Sequence, residues 1–533
     1  MRILFAASAL AATLTTSALQ KDSDGYYLIG TALDLAEFSN MNSSDECYHS
    51  GRLTADIVWD DDIPWVSIGF DEDGYRYSGT FDGQGHRISG LKIVHKYNNH
   101  HDAMFGAIAT AGVVKNFSLE NCHFESSDYV AGVCGSNLGR IENVSVSSTD
   151  VIADGNNAGG IAAWSSGTII SCNFSGTVTC EHNNAGGIAG GNSGLIQSCV
   201  NRGSIYATYS YSAGIAGENR GTIADCMNEG NIGFQPDWIN EFYLNYVGGI
   251  VGKNYAIPDS QGLITRCNNV GNVKGINYVG GICALNESTI TLSYDCGQLT
   301  PYSWADLSMK YCGGLTGMNS GTVSYCYTLG KINLSPSQHS AHAVGGFCGE
   351  VTSTGTHTCC YIQAGSYPDI VSVGGSDGIT RLSPKAFASG KAACLMNNDS
   401  PGSWYQDLSD NGESSPTLSQ SSGTVYSGYD GCHFTYSNSP LSPSPTAQHN
   451  FDDDGFCTVC QGPQPAILNN GTYEISKPGH LYWFADQVNN GNVSINGALT
   501  RDIVVNTNVL TSNKLLSDNY ADFRKWIPIG FDQ

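Results

Sequence analysis

The chain has 533 residues, of which only 14% are Asp, Glu, Lys or Arg and 65 are glycine, against about 25% charged residues in ordinary soluble domains. Acidic residues number 48 against 24 basic ones, a net charge of −24, which argues against nucleic acid or an anionic membrane face as partner. A hydrophobic fraction of 41% with 10% aromatics is too rich for a disordered chain.

At the N-terminus, MRILFAASALAATLTTSALQ places Arg2 before an apolar run from Ile3 to Leu14. Thr16 and Ala18 then stand at the −3 and −1 positions of a cleavage site. This grammar predicts a secretory signal over 1–20 and an extracellular or cell-surface location. No later stretch reaches the roughly 18 continuous apolar residues of a membrane span.

From Phe105 to Cys360 one phrase returns: AGGIAAWSSGTIISCNFSGTV, AGGIAGGNSGLIQSCVNRGSI, SAGIAGENRGTIADCMNEGNI, VGGICALNESTITLSYDCGQL, CGGLTGMNSGTVSYCYTLGKI. The glycine before each apolar residue falls at Gly106, Gly132, Gly160, Gly187, Gly214, Gly249, Gly281, Gly314 and Gly346, a period of 26 to 35 residues. Repeats of this length are solenoid turns. Each unit carries three short apolar dashes, such as Ile188, Leu195-Ile196 and Ile205, separated by Asn-Gly or Ser-Gly turns. Segments this short read as strands. Three strands per turn, stacked about 4.8 Å apart, predict an all-β, right-handed parallel β-helix.

Cysteines recur after the second dash at Cys122, Cys172, Cys199, Cys226, Cys267, Cys296, Cys326 and Cys359, with a second column at Cys134, Cys283 and Cys348. Strand spacing is longer than the Cβ separation a disulfide prefers, which favours reduced thiols packed as small hydrophobes over a disulfide ladder.

GGIAGGNSGLIQSC, preceded by YSGTFDGQGHRISGLKI at Tyr77 to Ile93, resembles the GLUG-motif repeats of bacterial secreted and surface adhesin-like proteins. YLIGTALDLAEFSN, LTADI and WVSIGF are similar to the segment that caps such β-helices, with a short amphipathic helix over Asp34 to Asn40. LSPKAFASGKAACLMN, SWYQDL and GTVY, at Leu382 to Tyr426, resemble the closing segment. The resemblance spans about 25–430 and implies a scaffold rather than an activity. There is no HExxH, which removes the zinc-peptidase chemistry of immunoglobulin A protease relatives that share this repeat type.

The end of the chain repeats its beginning. Tyr27, Ile29, Leu35, Phe38, Leu53, Asp56 and Ile57 match Tyr473, Ile475, Leu481, Phe484, Leu499, Asp502 and Ile503 at a constant offset of 446. Trp65, Ile68, Gly69 and Phe70 then match Trp526, Ile529, Gly530 and Phe531 after a 15-residue insertion. The expected organisation is signal 1–20, cap and first coils 21–95, repeats 96–365, closing segment 366–430, linker and knuckle 431–465, and the truncated start of a second similar module at 466–533.

In HNFDDDGFCTVCQ, His449, Cys457 and Cys460 stand at knuckle spacing, and Cys432 or His433 would complete four ligands for a structural Zn²⁺. A local disulfide or a metal-free turn is the alternative. Asp452, Asp453 and Asp454 lack the ligand spacing of an EF-hand and read as a solvated turn.

No catalytic constellation emerges. The phosphate-loop pattern is absent. Asp60, Asp61 and Asp62 lie in the capping region, and Glu218, Asp225 and Glu229 do not recur on one face as a lyase or glycosidase would require.

Binding leaves a clearer trace. Insertions at Phe234 to Tyr246 and Thr300 to Tyr311 fall at one corner, just before the glycine pair, and the next turn adds His339 and His342 there. Trp238, Tyr243, Tyr302 and Trp304, with Tyr209 and Tyr211 below, offer rings to a glycan or to an extracellular protein surface. The alternative is that these rings cover their own loops. The expected function is a secreted or surface β-helix adhesin or interaction scaffold, with a polysaccharide lyase or glycoside hydrolase and a purely structural stalk as alternatives.

Overall fold

In the computed structural model the described residues are 19–43, 46–60, 62–70, 75–95, 101–233, 246–258, 260–301, 311–334, 343–365, 367, 369–398, 402–489, 492, 494–507, 509, 523–526, 528 and 529. They divide into two compact units, Met1–Lys385 and Ala386–Gln533.

The first unit is a parallel β-solenoid, and the turn built from residues 185–207 shows how it is made. Five short strands follow one another: Ala185–Gly186, Ala189–Asn192, Leu195–Gln197, Val200–Asn201 and Ser204–Ala207. The sequence suggested three strands per turn; the turn residues between the apolar dashes add two more, because they too pair with the turns on either side. Each strand pairs in parallel with its counterpart one turn on, as in Ala185↔Ser212, Ala189↔Ala216, Leu195↔Thr222, Val200↔Met227 and Ser204↔Asn231. The strands assemble into sheets of 29, 10 and 8. The solenoid sheets continue past residue 365 through the strands Val371–Val373 and Ile379–Leu382.

The three apolar dashes line one continuous core. Ile188, Ile196 and Ile205 are fully buried, and so are their partners in the next turn, Ile215, Ile223 and Ile232. The repeated glycine is demanded by sterics. A Cβ on Gly160, Gly187 or Gly214 would lie 2.2 or 2.3 Å from the carbonyl oxygen of the same glycine one turn on, so any side chain would push the turns apart.

Two columns of buried polar side chains inside the coil are satisfied along its axis. Asn192, Asn219, Asn254, Asn286 and Asn319 form a ladder, each amide donating to the next carbonyl oxygen at 2.8–2.9 Å. A second ladder runs Asn201, Asn228, Asn269 and ends on the carboxylate of Asp295. Asn192 and Asn201 also accept a backbone N–H from the glycine two residues on, which closes the Asn-x-Gly turn. The amides of these two ladders are tolerated in the core because their donors and acceptors find partners.

The cysteine column is real, but two of its expected members give way to neighbours and Thr149 adds a further rung. It runs Cys122, Thr149, Cys172, Cys199, Cys226, Cys267, Ser293, Cys326 and Cys360. The preceding residue is left-handed at every rung, with φ between 48° and 55° from Asn121 to Cys359. Cys359 therefore forms the turn while Cys360 faces the core, and the column position near Cys296 belongs to Ser293. The thiols donate to the carbonyl two residues back, as Cys199 does to Gln197 at 3.2 Å. Cys134, Cys283 and Cys348 share a register with Ala162, Ala189, Ala216, Val251 and Thr316, as the second column requires.

The cap begins with the strand Tyr27–Ile29, the helix Ala32–Met41 and the strand Gly51–Leu53. Thr31 caps the helix by accepting the Asp34 N–H, and Asp34 returns the contact to the Thr31 N–H. The second unit contains the same arrangement in the strand Thr472–Ile475, the helix Pro478–Asn489 and the strand Asn496–Leu499. Tyr27↔Gly51 and Tyr473↔Gly497 are equivalent parallel pairs. Thr54 and Thr500 each donate a backbone N–H to the matching isoleucine carbonyl, Ile29 at 2.9 Å and Ile475 at 3.0 Å.

Candidate metal centre and candidate binding face

The linker places a hairpin before the knuckle. The antiparallel strands Tyr426–Asp430 and His433–Ser437 carry Cys432 in their tight turn. In the following turn, the Cys457 N–H donates to the Gly462 carbonyl and the Gln461 N–H to the Cys457 carbonyl, both at 2.9 Å. This fold brings Cys432, His449, Cys457 and Cys460 together, with one ligand atom from each and all four within 4.8 Å of one another. The Cys432 and Cys457 sulfurs are 3.6 Å apart, and Cys460 Sγ lies 3.4 Å from His449 Nδ1.

A tetrahedral zinc with bonds of about 2.3 Å to sulfur and about 2.0 Å to nitrogen needs edges of roughly 3.5–3.8 Å. The Cys432–Cys457 and Cys460–His449 edges lie close to that range, and the other four are within 4.8 Å. Of the two candidates for the fourth ligand, Cys432 joins the cluster and His433 does not. The backbone N–H of Cys460, with the His449 ring also contributing, pulls the Cys457 thiol down to about 5. A thiolate is the form a metal takes. Asp452 is used locally, its carboxylate accepting the Phe456 N–H at 2.8 Å.

On the solenoid, Trp238, Tyr243, Tyr302, Trp304, His339 and His342 lie outside the described residues. Tyr209 is exposed and rests edge-on against His182. Tyr211 belongs to a feature that reading the insertions alone missed. It starts a ladder with Tyr246, Tyr278 and Tyr311, at centroid separations of 5.1, 4.6 and 5.4 Å, and the middle pair is stacked within 10° of parallel. The signal was present as a tyrosine just before the small-residue pair in YSAG, YVGG, YVGG and YCGG.

Tyr246 and Tyr311 are the first described residues after 234–245 and 302–310. Beside the ladder runs a polar cluster. Arg220 lies 4.9 Å from the Tyr255 ring centre and pairs with Glu218, while Lys253 lies 4.1 Å from the same ring and pairs with Glu287 at 2.9 Å. Burial raises the Tyr211, Tyr246 and Tyr278 phenols above their usual range.

The carboxylates considered for catalysis have other roles. Glu218, Asp225 and Glu229 pair with Arg220, Arg266 and Arg202. Asp60 and Asp62 are exposed and Asp61 lies outside the described residues. Among the described residues, no helix is long and apolar enough to cross a membrane.

No family model matches the chain. A stretch of 144 residues, 25% of this chain, is 31% identical to halomucin of Haloquadratum walsbyi, and spans 2% of that protein's length. A crystal structure described as a putative immunoglobulin A1 protease from Bacteroides ovatus is 17% identical over 75% of this chain and 93% of its own, with a TM-score of 0.32.

Proposed function

We propose that the chain is exported and that its GLUG-like β-solenoid acts outside the cell as an adhesin or interaction scaffold, binding glycan or an extracellular protein at the tyrosine corner. The observation that carries this reading is the ladder of Tyr211, Tyr246, Tyr278 and Tyr311. A rigid row of protonated phenols beside Arg220 and Lys253 supplies aromatic surface and hydrogen-bond donors at fixed spacing, which is what sugar and protein surfaces engage. Trp238 and Tyr243 precede Tyr246 in the sequence, and Tyr302 and Trp304 precede Tyr311, so the chain is rich in aromatics just before two members of the ladder.

The test is the full chain on a glycan and host-matrix array, beside Tyr246→Ala/Tyr278→Ala and Trp238→Ala/Trp304→Ala variants, with turnover measured on every polysaccharide bound. Saturable binding that both variants weaken, without turnover, is the expected result. Turnover would replace the adhesin reading with an enzymatic one, and a silent array would favour a stalk.

We also infer that Cys432, His449, Cys457 and Cys460 hold a structural Zn²⁺ that joins the hairpin Tyr426–Ser437 to the knuckle 449–460. The support is the clustering of three thiols and one imidazole, a ligand set that suits structural zinc, within 4.8 Å of one another. Elemental analysis of the purified chain should give one zinc per molecule, lost in Cys457→Ser. A disulfide between Cys432 and Cys457 in protein purified under reducing conditions would overturn it.

A further inference from the structure

The two strand–helix–strand units differ at the start of the helix. At the offset of 446, Thr31, Ala32, Leu33 and Asp34 correspond to Lys477, Pro478, Gly479 and His480. In the first copy Thr31 and Asp34 cap the helix with their own side chains, and Leu33 is 50% exposed. In the second, His480 keeps only the backward contact, its ring accepting the Ser476 N–H at 3.4 Å as Asp34 accepts that of Gly30 at 3.1 Å. Lys477 has no acceptor, so the half of the cap that Thr31 supplies is missing.

Yet Pro478, Gly479 and His480 are all buried. The knuckle lies against this turn. The Gly479 N–H donates to the Asp454 carbonyl at 2.8 Å, which satisfies a first-turn donor from outside the helix. Glycine is required there, because a Cβ would lie 1.8 Å from the Gly455 carbonyl oxygen. The next residue, Phe456, is 3% exposed, with its ring edge-on to Tyr482 at 5.4 Å and the Arg524 guanidinium carbon 3.6 Å from its centre. Asp454, Gly455 and Phe456 all stand between His449 and Cys457, inside the loop whose ends carry the clustered ligand atoms.

We propose that this loop is a metal-dependent clamp on the second strand–helix–strand unit. The inference rests on the zinc reading of Cys432, His449, Cys457 and Cys460. A loaded site fixes both ends of 450–456, so that the Asp454 carbonyl stays on the helix N-terminus and Phe456 stays against Tyr482 and Arg524. Without the ion those ends come free, ligand bonds no longer offset the entropy of ordering the loop, and the cap and the ring contacts weaken together. The order of the second unit is thereby tied to the supply of a cation that prefers thiolate ligands.

The experiment is hydrogen exchange at 479–489 in the full chain under reducing conditions, before and after a chelator removes zinc and again after zinc is restored, with zinc content measured on each sample. Removal is expected to speed exchange at Gly479 and through the first turn roughly fivefold or more, the effect of losing one helix cap, and added zinc to reverse it. Gly479→Leu supplies the residue of the first copy, leaves all four ligands in place and drives the Gly455 carbonyl away. It should keep one zinc per molecule while exchange along the helix stops responding to the metal. Leucine is a better helix former than glycine, so failure of the helix itself does not account for that result. Phe456→Ala, which leaves the helix sequence untouched, should weaken the response in the same direction. A chain that holds no zinc would overturn the metal reading and this proposal with it. Bound zinc whose removal leaves exchange at 479–489 unchanged, or a Gly479→Leu chain that still responds, would overturn the clamp alone.

Discussion

The backbone N–H of Cys267 donates to the hydroxyl of Ser293 at 3.1 Å, in the place where Cys172 and Cys199 donate to the thiol one turn on. Ser293 in turn donates its N–H to the Cys326 thiol at 3.4 Å. Thiol and hydroxyl are interchangeable here because the rung asks for a small buried acceptor. Ser293→Cys should therefore leave stability unchanged, whereas Ser293→Ala strands a buried N–H at a cost of about 1–3 kcal/mol. Native-state hydrogen exchange at Cys267 reads the difference, and equal protection in both variants would refute this role.

Asp295 occupies an asparagine position. It is fully buried, accepting from Asn269 at 2.8 Å and from the Gly297 N–H and the Thr328 hydroxyl at 3.3 Å. Burial raises its carboxyl from 3.8 to about 7. A raised acid stabilises the fold when protonated, so its contribution is complete below pH 3.8 and is lost as pH rises through about 7. Asp295→Asn continues the ladder without a charge and should raise the melting temperature at pH 8 more than at pH 5. A uniform change across that range would rule out the titration.

At the end of the other ladder, His357 Nε2 meets the Asn319 amide at 3.3 Å, and burial lowers its pKa from 6.5 to about 4. The neutral ring is the one that accepts. Its contribution is present above pH 6.5 and is lost as pH falls through about 4, opposite in sign to Asp295 across much of the same window. His357→Asn should remove this acid-side loss. In an Asp295→Asn background the histidine effect stands alone, so melting curves from pH 4 to 7 should rise more steeply than in the wild-type chain.

Tyr278 touches two rings, Tyr246 at 4.6 Å and Tyr311 at 5.4 Å. Tyr278→Ala should cost about 1–3 kcal/mol, since an aromatic pair is worth roughly 0.5–1.5. Tyr278→Phe keeps both contacts and should lose little stability. Chemical denaturation of the two variants separates packing from the hydroxyl, and matching losses would show that the stack adds nothing.

The solenoid was legible in the sequence because its constraint recurs every turn. Ile188, Ile196 and Ile205 each fill one column of the core, and Gly187 stands where a Cβ would meet the Gly214 carbonyl. The knuckle was legible as well, since three of its ligands lie within 12 residues, from His449 to Cys460. Local spacing also narrowed the fourth ligand to Cys432 or His433; choosing between these neighbours required the hairpin turn that directs Cys432 into the cluster.

Tertiary structure decided what depends on register between turns. Cys359 and Cys360 are adjacent, and only the left-handed φ of 51° at Cys359 shows which one faces the core. Asn201, Asn228, Asn269 and Asp295 looked like separate turn residues until stacking made them one hydrogen-bonded column. Tyr211, Tyr246, Tyr278 and Tyr311 are up to 35 residues apart from one to the next, and become neighbours because each turn returns to the same corner. Periodicity along the chain determines the coil; the contacts along its axis exist only once the turns are laid on one another, because strand spacing brings side chains of successive turns within bonding distance.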